Sequence, residues 1–73
     1  MVSNTEAAKQ ISDSILEICR MIERSLHEVK ESCPAEEFAS YHRAVGKVVA
    51  PIMFDVLEPL YSEHPTLKPS SWD

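Results

Sequence analysis

Residues 11–37 read ISDSILEICRMIERSLHEVKESCPAEE. The apolar side chains fall at Ile11, Ile15, Ile18, Ile22, Leu26, Val29 and Cys33, in steps of three and four, which is the period of an α-helix. At 100° per residue these seven lie within about 80° of one another, while Asp13, Glu17, Arg20, Arg24 and Glu31 occupy the opposite side. The run ends at Cys33-Pro34. A proline pushes the preceding residue out of the helical region and suits the first position of a new helix, and Glu36 and Glu37 follow where the helix dipole favours acids. So short a connection makes the flanking helices antiparallel neighbours. The alternative, a single rod kinked at Pro34, gives no reason for the cap-like order Ser32-Cys33-Pro34-Ala35-Glu36.

Upstream, Ser3 followed three residues later by Glu6 has capping-box spacing and predicts the start of helix 1. Downstream, Phe38, Tyr41, Val45, Val48, Ile52, Val56 and Leu60 form one line, widened by Val49, Met53 and Leu57 to an arc of about 180°. That is more than one partner helix can cover. Both helices show an 11-residue repeat, as in Ile11/Ile22/Cys33 and Phe38/Val49/Leu60, which keeps them near-straight rather than coiled-coil-like. Pro51 removes one hydrogen bond at the carbonyl of Lys47, so a kink is expected there rather than a stop, and Pro59 ends the helix or bends it again.

The expected architecture is all-α: an antiparallel helical hairpin with helix 1 at about residues 4–32, helix 2 at about 34–62, kinked at Pro51, and an extended proline-containing tail over 64–73. A chain of 73 residues is marginal on its own. A compact fold of this size buries roughly 7,000 Å², of order 110 kcal/mol if about 60% is apolar, and ordering costs about 1.5 kcal/mol per residue, which is the same size. A two-helix hairpin buries less, so association into a homodimeric four-helix bundle, or a tetramer, is the expected remedy. Its interface is expected at Ile15, Ile18, Ile22, Tyr41, Val45, Val48, Val49, Ile52, Met53 and Val56.

Composition narrows the function classes. Seven Lys and Arg scattered among twelve acids, net charge −5, argue against nucleic acid and against an anionic membrane surface. No apolar stretch approaches membrane-spanning length, and the opening Met1–Lys9 is polar. Two cysteines about 20 Å apart on one helix cannot pair with each other. Together these features point to the cytoplasm.

No catalytic constellation is expected. Cys19 is expected to be buried and inert, and Cys33 at the hairpin tip has no histidine placed to serve it. His42 projects to the middle of the second apolar arc, either as a core histidine or as a ligand-binding group acting with Cys19. A metal site needs three or four convergent ligands, and no cofactor is expected. His27, between Glu23 and Glu31 at four-residue spacing, reads as surface decoration, and His64 as a turn residue. Ala35, Ala39, Gly46 and Ala50 trace a small-residue flank, with Ser14 and Ser25 at the edge of helix 1, as close helix approach requires. Phe54, Leu57 and Tyr61 follow one stripe, either covered by Leu67 or Trp72 of the tail, turned into the bundle by the Pro51 kink, or left exposed as a partner patch. The function expected is therefore binding or scaffolding by self-association. The alternatives are a small-ligand or metal-binding bundle using His42 and Cys19, and an adaptor or inhibitor that binds a different protein.

Overall fold

A computed structural model describes residues 1–69. It is all-helical among these residues: α1 spans Thr5–Ser32, α2 spans Ala35–Pro51, a π-helical segment covers Ile52–Leu57, α3 covers Glu58–Glu63, and a 3₁₀ turn follows at Pro65–Leu67. α1 and the rod formed by residues 35–63 make a hairpin with principal dimensions of 45 × 20 × 16 Å.

The helix ends differ from the sequence expectation in their detail. α1 is capped by Asn4, not by a Ser3 capping box; the Asn4 carboxamide oxygen accepts from the Ala7 amide at 3.0 Å. Both are good caps, and Asn4 is the one in extended geometry immediately before the first helical residue. At the tip, Cys33 takes extended dihedrals (φ −125°, ψ 158°), as a residue before proline must, and its N–H closes the last turn on Val29 O at 2.9 Å. Pro34 is the N-cap of α2 rather than its first helical residue, and its carbonyl accepts from the amides of Glu37 and Phe38.

Pro51 produces more than a kink. Lacking an N–H, it cannot serve the Lys47 carbonyl, and the helix widens immediately afterwards into the π segment, where the Glu58 N–H reaches back five residues to Met53 O. Such a wide turn adds one residue to the helical count and turns everything beyond it by about 100°. The turn carries Leu57, Leu60, Tyr61 and His64 inward, and leaves Phe54 outside. Pro59 neither ends nor bends the rod; it lies in the first turn of α3, and the helix runs on to Glu63.

The tail is not extended throughout. The His64 N–H bonds Leu60 O at 2.9 Å, the Leu67 N–H bonds His64 O at 3.0 Å, and the resulting 3₁₀ turn packs Leu67 against the core. Any covering role of Trp72 lies outside the described residues.

Full burial among the described residues is confined to the open end of the hairpin, where the start of α1 meets α3. The core there is Ala8, Leu57, Leu60 and Tyr61, with Val2, Ile11, Ile15, Leu16 and Leu67 packed around it. Buried within it, the Ser12 and Tyr61 hydroxyls meet at 2.6 Å. The two chain segments are clasped across the same end: His64 Nε2 donates to Val2 O at 2.6 Å, and the Met1 ammonium donates to Glu63 Oε1 at 2.8 Å. That ammonium holds the Glu63 carboxyl below its ordinary pKa. No residue of α2 is fully buried.

Candidate functional site

From Ile15 to the tip, α1 and α2 touch along one seam and leave a groove on each side of it. Which groove is which follows from hydrogen bonding. Ser25 Oγ donates to its own helix at Ile22 O (2.7 Å), so it accepts from the Tyr41 hydroxyl at 2.8 Å. This pair marks one side of the seam, where Ile22, Tyr41, Ala44, Val45 and Val48 line a shallow apolar groove of about 280 Å³. The other side carries a groove of about 210 Å³ lined by Cys19, Ile22, Glu23, Leu26, His42, Val45, Gly46 and Val49.

Several residues sit elsewhere than the sequence reading placed them. His42 is not in a core: it is exposed, its ring tilted 40° against Phe38 with centroids 5.6 Å apart. Periodicity put it at the middle of an apolar arc, but that arc lacks a second layer to bury it. Cys19, expected to be buried, is half-exposed for the same reason and faces the same groove as His42. His27 pairs with Glu31 at 3.0 Å on the solvent side. Among the described residues, no three His, Cys, Asp or Glu side chains come together in a group that could hold a metal ion.

Gly46 and its flank do not mediate close approach within the hairpin. A Cβ built on Gly46 would meet nothing within 4 Å, and Ala35 and Ala39 are exposed. The stripe of Phe54, Leu57 and Tyr61 is split. Leu57 and Tyr61 are core residues and unavailable as a partner patch, while Phe54 stays 64% exposed. A straight-helix projection could not separate them, because Phe54 and Leu57 lie within the π segment and Tyr61 beyond it. The buried Ser12–Tyr61 pair and the His64 clasp were not foreseen. Ser12 is four residues after Ala8 on one edge of α1, and the available signal was its apolar neighbours at helical spacing, Ala8, Ile15 and Leu16.

The residues expected at an oligomer interface divide by exposure. Ile15, Ile22, Val45, Val49, Ile52, Met53 and Val56 are half-buried along the seam, whereas Ile18, Tyr41 and Val48 are exposed. No helix among the described residues is long and apolar enough to cross a membrane. Compared with known proteins, the chain matches no protein family, no curated protein and no solved structure, so its chemistry has to be argued from the geometry alone.

Proposed function

We propose that this chain acts as a self-associating helical hairpin, two copies pairing into a four-helix bundle whose role is binding or scaffolding rather than catalysis. The observation that carries this reading is the unfinished core: α2 is patterned for burial over about half its circumference, yet none of its residues is fully buried. The core that does close is confined to one end, and along the α1–α2 seam the apolar side chains are at most half-buried, with Ile18, Met21, Tyr41 and Val48 exposed. Pairing removes that surface from water at about 25 cal/mol per Å². Light scattering at micromolar concentration tests the proposal. The expected mass is twice the 8.2 kDa of the chain, and Val49→Asp is expected to reduce both mass and helicity, because an unpaired carboxylate between α1 and α2 disrupts the hairpin that has to pair. A well-folded species at the single-chain mass across the concentration range overturns it.

A second reading, a small-ligand or metal site using His42 and Cys19, is favoured by one observation: this thiol and imidazole, from facing helices, line the same groove. Elemental analysis of the purified protein decides it. One zinc or iron per chain, lost in His42→Gln, supports the site; absence of metal together with unaltered folding of His42→Gln removes it.

A further inference from the structure

Resting on the self-association reading above, we propose that the second copy covers one particular face of the hairpin, the one on which Tyr41 donates to Ser25, and that the face carrying Cys19, His42 and Gly46 is left open to solvent.

The two faces differ first in what they expose. Ile18 and Met21 lie seven and four residues before Ser25, on its side of α1, and Val48 lies seven residues after Tyr41, on its side of α2. These four are the large apolar side chains left exposed between residues 15 and 50: Val48 is 58% accessible, Met21 54%, Ile18 43% and Tyr41 37%. Tyr41 and Val48 line the groove together with Ile22, Ala44 and Val45, and helical spacing puts Ile18 and Met21 on the Ser25 side of α1. The opposite groove instead includes a carboxylate, Glu23, and the imidazole of His42. Interface cores are depleted in charge and enriched in aromatics and methionine, which describes the first face and not the second.

The pattern along α1 gives an independent reason. Each helix of a four-helix bundle touches two neighbours, so it needs two adjacent seams. One seam of α1 faces the second rod, Ile11 and Ile15 against the core of Leu57, Leu60 and Tyr61, and Ile22 and Leu26 alongside α2. A second runs through Ile11, Ser14, Ile18, Met21 and Ser25, in steps of three, four, three and four, and it carries no charge for four turns. It continues toward the open end into a shallow concavity lined by Ala7, Gln10, Ile11, Ser14 and Ile15. Of this second seam, Ile11 packs on the core at the open end and Ser25 bonds Tyr41, while Ser14, Ile18 and Met21 between them are exposed.

The size of the excess surface fits a second copy as the occupant. A compact monomer of 8.2 kDa exposes roughly 4,500 Å², whereas this chain exposes 5301 Å², an excess of about 800 Å². A standard interface buries about 800 Å² on each partner. The uncovered surface is also two helices wide, one stripe from α1 and one from α2. A copy related by a two-fold axis offers the same width and the same length, so each stripe meets a helix.

Site-directed cross-linking of the folded, full-length chain tests the assignment without requiring that a disrupted variant still fold. With Cys19 and Cys33 replaced by alanine, Met21→Cys or Val48→Cys is expected to give a covalent dimer with a short bismaleimide, while Gly46→Cys and His42→Cys stay at the single-chain mass. In parallel, Val48→Asp is expected to weaken association on the order of 100-fold, since it places an unpaired charge in the interface, and Gly46→Leu to leave it unchanged. Cross-linking through Gly46→Cys or His42→Cys in place of Met21→Cys and Val48→Cys overturns the choice of face while the dimer itself stands. A parent protein that stays at the single-chain mass and fully folded overturns both the choice of face and the self-association on which it rests.

Discussion

Replacing Leu57 by alanine probes the least obvious feature of this fold, the one-residue change of register that follows Pro51. Leu57 is fully buried against Ala8, Leu60 and Tyr61, whereas Phe54, three residues earlier on the stripe that a regular helix would form, is 64% exposed. Leu→Ala in a closed core costs about 2–5 kcal/mol, the value depending on how far the site collapses. Here the cavity would open at the end of a two-helix hairpin, where α3 and the start of α1 can move together, so the lower part of that range, about 2–3 kcal/mol, is expected. A chain of this length has a total stability of roughly 4–11 kcal/mol. Leu57→Ala should therefore remove a large fraction of it, while Phe54→Ala stays within about 0.5 kcal/mol of the parent. Urea unfolding followed by circular dichroism at 222 nm, at one fixed protein concentration so that any association contributes equally, measures both. Equal losses for the two variants, or a larger loss for Phe54→Ala, would refute the inward turn of Leu57 and with it the register of the π segment.

Three further outcomes follow from the same geometry. A double-mutant cycle of Ser12→Ala and Tyr61→Phe should show a coupling of about 1 kcal/mol for their buried hydroxyl pair at 2.6 Å; a coupling indistinguishable from zero would mean the two hydroxyls do not bond in solution. Because the Met1 ammonium lowers the folded-state pKa of Glu63, the stability this carboxylate contributes is complete above the ordinary carboxylate pKa and is lost as pH falls through the lowered folded value. Glu63→Gln should consequently flatten the acid limb of a stability–pH profile and leave the neutral limb parallel to the parent's, and an unaltered acid limb would count against the clasp. Gly46→Ala should raise stability by about 0.5–1 kcal/mol, since a methyl group there meets open space and glycine is the poorer helix former; a loss in thermal or urea unfolding would show that something packs on Gly46.

Local patterning was enough to determine several things about this chain. The three- and four-residue steps of Ile11 through Cys33 specify a helix, and Cys33-Pro34 specifies where it stops, because both are properties of a few adjacent residues. The same holds for the wide apolar circumference of residues 38–60, which follows from their spacing alone. The register beyond Pro51 was not legible. A proline deletes one hydrogen bond, and whether the backbone answers with a bend or with an inserted residue depends on which side chains then find a core. In this fold the inserted residue brings Leu57, Leu60 and Tyr61 onto Ala8 and Ser12, contacts more than forty residues apart in sequence. The surroundings of His42 and Cys19 were equally beyond reach of periodicity, which tells that a position is on an apolar arc but not whether a neighbour covers it. Only the packed hairpin shows both residues on one open groove, and only the packed hairpin makes His64 a clasp as well as a turn residue, since its ring reaches the Val2 carbonyl at the other end of the chain.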